Sequence, residues 1–248
     1  MSALVIFRRE LWSYFVTPIG WLVATLFALV QGFSFYLIVE LSAESDAVFG
    51  SPMTLFFGGT YLYWLFLIAV CAVLSMRLIA EERRSGALEL LLTSGVSSLQ
   101  VVLGKLAAAL AFYAAIWLPT LFYVAILQLV GGSLWLDPGV VLAGYLGTLL
   151  FGLTALSIGL LCSAATRSQL AAGLSTFVAL SMLLLAGPSG LFSQGDWSVL
   201  AEYFDWFAQM ERFARGIIDG RALALHLGIS LFVIFAASAV LERQKWRR

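Results

Sequence analysis

Few residues of this 248-residue chain could do covalent chemistry, and they are scattered. Ser189 stands in Gly187-Pro188-Ser189-Gly190, and the one histidine, His226, stands in an apolar run further on. A serine with an imidazole base is the minimum for nucleophilic catalysis, but Pro-Ser-Gly after an apolar run is also ordinary turn chemistry. Cys71 and Cys162 lie in apolar runs without metal-ligand spacing, so neither a disulfide nor a metal centre is expected. A phosphate-cradling loop needs G-x-x-x-x-G-K-[ST]. Here Gly104-Lys105 is followed by Leu106 and has Leu99 where the first glycine would stand, so no nucleotide is expected by that route. Gln31, Gln128 and His226 are the strongly polar groups inside apolar runs, too few for an ion-coupled relay. The chemistry with most support is recognition. Between Arg77 and Lys105, Glu81, Glu82, Arg83 and Arg84 precede Leu88, Glu89, Leu90, Leu91 and Leu92. Charges followed by leucines at this spacing read as a short amphipathic helix that should lie along a surface.

The elements that would position these residues cross a membrane. The chain is 62% hydrophobic and 11% charged, with a mean hydropathy of +0.98, outside the range of soluble domains. Six runs approach the ~20 residues that a span needs: 18–39, 55–76, 106–130, 139–162, 169–187 and 222–241. The fold class is therefore an all-α integral membrane protein, one transmembrane domain over 1–248. With both termini on one side, eleven basic residues (Arg8, Arg9, Arg77, Arg83, Arg84, Lys105, Arg167, Arg243, Lys245, Arg247, Arg248) share it and three (Arg212, Arg215, Arg221) do not. The positive-inside rule then places both termini in the cytoplasm. Net charge is zero, and no nucleic acid partner is expected. The amino end lacks the apolar core and cleavage site of a signal peptide.

Residues 1–16 set Leu4, Phe7, Leu11 and Phe15 at helical spacing around Arg8, Arg9 and Glu10, which predicts an interfacial helix touching lipid. Tyr61, Tyr63 and Trp64 suit an aromatic belt at the outer end of span two. Pro119 predicts a kink in span three. Gly144, Thr148 and Gly152, then Ala155, Gly159 and Ser163, put small residues on one face of span four, suited to close packing within the chain. Residues 80–96 read as an amphipathic helix along the cytoplasmic surface, ended by Gly95, with Ser97 and Gln100 as a capping box for the next helix. The outer segment 188–221 mixes Trp197, Tyr203, Phe204, Trp206, Phe207 and Phe213 with charges, which predicts short helices dipping back into the interface.

The run AEERRSGALELLLTSGVSSLQVVLGK, residues 80–105, resembles the cytoplasmic loop between the first two hairpins of ABC-2 type transporter permeases. The likeness is nearest to the gliding-motility (GldF-like) and nitrous-oxide-reductase maturation (NosY-like) branches. The piece YFDWFAQMERFARGIIDGR, 203–221, is similar to a Gld-type segment with an FxRGIID core, which singles out Phe213, Arg215, Gly216 and Asp219. The resemblance implies the ABC-2, or type V exporter-like, architecture in a bacterial inner membrane: interfacial helix, six spans, coupling helix and re-entrant outer segment. It implies that Glu81, Glu82, Arg83, Arg84, Gly86, Leu88, Glu89, Leu91 and Leu92 dock on a P-loop ATP-binding subunit. That subunit would be present in two copies and hold the ATP and magnesium, this chain having no cofactor of its own. A second permease copy or paralogue and an accessory subunit with a large periplasmic domain complete the expected assembly. The cargo would be lipid-linked or amphipathic, or force alone would be transmitted. A rival is rhomboid intramembrane proteases, which the Gly187-to-Gly190 motif and His226 resemble. Against it, Ser189 sits at the outer end of span five, and that family's second-span histidine and asparagine are missing.

Overall fold

The computed structural model describes residues 3–44, 52–87, 95–131, 137–186 and 203–246, and all regular structure among them is helical. The helices are α1 (Ala3–Val16), α2 (Pro18–Glu44), α3 (Pro52–Phe56), α4 (Tyr61–Met76), α5 (Ala80–Ser85) and α6 (Ser98–Trp117). After a 3-10 turn at Leu118–Thr120 come α7 (Leu121–Gly131), α8 (Pro138–Ala165), α9 (Gln169–Ala186), α10 (Trp206–Ala214) and α11 (Gly220–Trp246). Six stretches are long and apolar enough to cross a membrane: Pro18–Glu40, Tyr61–Ser85, Ser98–Ile126, Pro138–Ala165, Gln169–Ala186 and Gly220–Arg243. The chain is a multi-pass membrane protein.

Local chemistry sets where these helices begin and break. Ser97 and Gln100 form the reciprocal capping box, each side chain meeting the other's backbone N–H at 3.3 Å, so the helix that carries the third apolar run starts at Ser98, ahead of 106. That earlier start carries Lys105 inside the bundle. Asp137 caps α8 by accepting from Gly139 N at 2.9 Å, and Pro138 takes the first turn, where its missing N–H costs nothing. Pro119 splits the third span into α6, the 3-10 turn and α7, as its lost N–H requires. The second span is not the single run 55–76. Gly58, at φ 91°, turns the chain between α3 and α4.

Tyr63 and Trp64 are not belt residues either. Both are buried, because their polar atoms find partners inside: Tyr63 Oη meets Thr148 Oγ1 at 3.1 Å, and Trp64 Nε1 donates to Gly58 O at 2.9 Å. Tyr61 alone of the three is exposed. Around them α8 is the central helix, packed by α4, α6, α9, α10 and α11. Its small residues are what let these neighbours in. A Cβ on Gly152 would lie 2.3 Å from Tyr113 Cε1, and one on Gly159 2.0 Å from Ser75 Oγ. The small-residue face of span four thus packs within the chain.

Candidate functional site

The charged stretch folds into α5 at the end of the bundle where α1 begins and α11 ends, here the charged end. α5 is short because Gly86 adopts φ 75°, a left-handed cap with no side chain to strain. The amphipathic helix expected over 80–96 is therefore interrupted at Gly86. Gly95, at φ 79°, makes the second break ahead of α6. Leu88, Glu89, Leu91 and Leu92 lie outside the described residues.

What α5 touches defines the site. Ser163, near the end of α8, accepts from Ile79 N and Ala80 N, each at 3.0 Å, and so satisfies two donors at the start of α5. In return Arg83 donates to Ala164 O at 2.5 Å and Thr166 O at 3.0 Å, placing its cation at the carboxyl end of α8 where the helix dipole favours it. Glu82 faces the other way. Its Oε1 receives Arg9 Nη2 of α1 at 2.6 Å and Lys105 Nζ of α6 at 3.0 Å. Glu10 completes the knot, its Oε1 at 2.9 Å from both Lys105 Nζ and Arg9 Nη2. Lys105 is 1% exposed, Glu82 13% and Glu10 17%. Two cations and two carboxylates are neutral together, so the burial of Lys105, Glu82 and Glu10 is offset within the set, while Arg9 reaches solvent. Burial alone would push the Glu10 carboxyl up; Lys105 and Arg9 outweigh it and hold it below its ordinary value.

Glu82 and Arg83, two of the expected docking charges, are thus internal joints, and Glu81 pairs with Arg77 at 2.8 Å. Arg84 is left exposed on α5. The same end is tied further by Tyr14 Oη donating to Leu74 O at 2.9 Å and by Ser98 Oγ donating to Glu242 Oε2 at 2.5 Å. Through these bonds α5 joins α1, α6 and α8 at once. Sequence reasoning missed Lys105, Glu10 and Ser163 as parts of one site. A lysine inside an otherwise apolar helix was the available signal.

At the far end α10 lies against α8. Asp205 caps it by accepting from Ala208 N at 3.1 Å, and its inner face buries Trp206, Gln209, Met210 and Phe213. Phe213 and Met210 occupy the room left by Gly147. Gly216, at φ 82°, ends the helix, with Ile217 N returning to Arg212 O at 2.9 Å. Asp219 Oδ1 then accepts from Arg221 N at 2.9 Å to start α11, while Arg215 pairs with Glu211 on the surface. Phe213, Gly216 and Asp219 are therefore structural joints. Beneath α10 the fully buried His226 is held by both ring nitrogens: Nδ1 with Thr154 Oγ1 at 2.8 Å and Nε2 with Gln209 Oε1 at 3.0 Å. Neither nitrogen is left to activate a serine, and Ser189 lies outside the described residues.

Among curated proteins none matches this chain. A family model described as ABC-2 family transporter protein matches residues 39–238. That range takes in α5 and its partners Lys105, Ser163 and Thr166, together with α10, so the chain belongs to the ABC-2 transporter family as one of its membrane permease subunits.

Proposed function

We propose that this permease converts ATP hydrolysis in a separate P-loop subunit into movement of its spans, and that α5 and the residues following it are where that subunit docks. The observation that supports this most is the convergence on α5. A push on a helix bonded to α1, α6 and α8 reaches the interfacial helix and spans two, three and four together. Arg84 and Glu89 would orient the partner, and Leu88, Leu91 and Leu92 would fill a cleft on it. ATP and magnesium stay in the partner. One chain offers one docking loop, and a pair of ATP-binding subunits offers two clefts, so two permease copies, or this chain and a paralogue, would assemble with two ATPases. The excess of arginine and lysine on one side supports a cytoplasmic location for α5 and both termini, and the permease resemblance implies a bacterial inner membrane. The Gld-type resemblance of 203–221 extends the assembly to a periplasmic accessory subunit, with export of an amphipathic cargo or transmission of force as the work done.

The test is mass spectrometry of what co-purifies with the tagged chain from native membranes in mild detergent. We expect a P-loop ATPase at about one per permease, lost in Leu91→Asp/Leu92→Asp and weakened in Arg84→Glu, whose exposed side chain holds no joint of α5. Glu82→Arg is a poor probe, because it would break the internal knot. Recovery of the permease without any ATPase would end the docking reading.

A further inference from the structure

A hollow of about 180 Å3 lies where α1 turns into α2 and both meet α6. Small side chains line it: Ala24 of α2, Ala115 of α6 and Gly20 at the bend, together with Pro119 in the 3-10 turn that follows α6. Its walls are preformed. Phe112 is stacked on Tyr14 at 5.0 Å and meets Phe15 edge-on at 5.2 Å. Trp21 Nε1 donates to Phe15 O at 2.8 Å, which fixes the rim at the bend between the two helices. The lining is almost wholly apolar, so water has too few partners to occupy it, and an apolar cavity of about 150 Å3 already admits a ligand the size of benzene.

The position of the hollow says what reaches it. Phe112 is two turns beyond the buried Lys105 on α6, about 10 Å along the axis, on the side of the ion-pair knot that runs into the apolar span. The rim residues Phe15 and Trp21 are exposed, and so are the adjoining Leu22 and Leu118. A mouth in a membrane span bordered only by apolar side chains opens onto hydrocarbon. Arg8 is exposed on the same face of α1 as Phe15, two turns back toward the charged end. It supplies positive charge where a phosphate headgroup would sit.

We propose that this hollow binds one acyl chain of a phosphate-headgroup membrane lipid, seated between α1, α2 and α6 in the leaflet along which α1 lies. The seated chain fills space that side chains leave empty and braces the bend between α1 and α2 against Pro119. The site requires membrane insertion and does not depend on the ATPase docking reading.

The experiment reconstitutes the full chain in vesicles containing phosphatidylglycerol with a photoactivatable diazirine on its acyl chain and maps the adducts by mass spectrometry. We expect adducts at Trp21, Phe112 and Ala115 several-fold above those at Leu174 and Val178, which are exposed on α9 and serve as ordinary lipid-facing controls. Ala115→Trp should fill the hollow and remove the excess while leaving the α9 adducts unchanged. Ala24→Leu is the second filling variant, for use if the first does not fold. Equal labelling of the two regions means bilayer contact only and overturns the site. An excess that survives a filling variant that folds also overturns it. Loss of ATPase co-purification would leave all these outcomes unchanged, so the two readings fail separately.

Discussion

The two ends of the bundle are held by opposite means. At the charged end α5, α1 and α6 meet through two cations and two carboxylates, partly open to solvent. At the far end α10, α8 and α11 meet through an uncharged network of Gln209, His226, Thr154 and Ser230, closed over by Trp206 and Phe151. A charged junction neutralises itself only as a set, so losing one member strands the others. An uncharged one loses a bond at a time. Large, conditional effects therefore belong at the charged end, and smaller ones that split into pairs belong at the far end.

Removing the central cation should break the comparison open most widely. Lys105→Met leaves the carboxylates of Glu10 and Glu82 buried around a thioether, and unfolding in detergent should become easier by about 3–5 kcal/mol. The triple variant with Glu10→Gln and Glu82→Gln removes the stranded charge and should regain most of that loss. A triple variant no more stable than the single one would show that Lys105 acts through packing and not through charge.

The far end should respond less. Gln209→Leu takes the partner from His226 Nε2 and should cost about 1–3 kcal/mol, the usual range for an orphaned buried group. Adding His226→Phe should recover part of it, giving a coupling of about 0.6–1.7 kcal/mol, as for hydrogen bonds between membrane helices. Hydrogen exchange should rise in Trp206–Ala214 and stay unchanged in α5. Faster exchange at both ends would mean that the two junctions are one cooperative unit.

Both ends were only partly legible in the sequence, for one physical reason. Hydrophobic runs and caps act locally, so the six spans, the break at Pro119 and the capping box at Ser97 follow from neighbouring residues. The small residues of α8 announced close packing, although not that Gly147 would receive Phe213 and Met210. Partners separated by long stretches of chain leave no such signal. Thr154 and His226, or Glu10 and Lys105, meet only because helices distant in sequence pack side by side. Tyr63 and Trp64 have the composition of a membrane-boundary belt, and only Thr148 and Gly58 O, available inside the fold, make them core residues. Glu81 to Arg84 showed that the region matters, while the division into internal joints and one exposed arginine depends on where Ser163, Lys105 and the end of α8 lie.

Acid should distinguish the ends most gently. The Glu10 carboxyl is held below its ordinary value in the folded chain, burial being outweighed by Lys105 and Arg9. A carboxylate with a lowered folded value contributes its stability in full above the unfolded value, roughly 4.3, and gives it up as pH falls through the folded one. Melting of the wild-type chain should therefore drop as pH is lowered from about 5 toward 3, with α1 exchanging before α10 does. Glu10→Gln should be less stable at neutral pH, because Lys105 loses a counter-charge, and should show a shallower acid limb than wild type. An unchanged acid limb in Glu10→Gln would move the titrating group elsewhere and leave Glu10 a packing contact of α1. A limb that flattens while α10 exchange stays constant would place the acid-sensitive joint of this permease at the end where α5 is held.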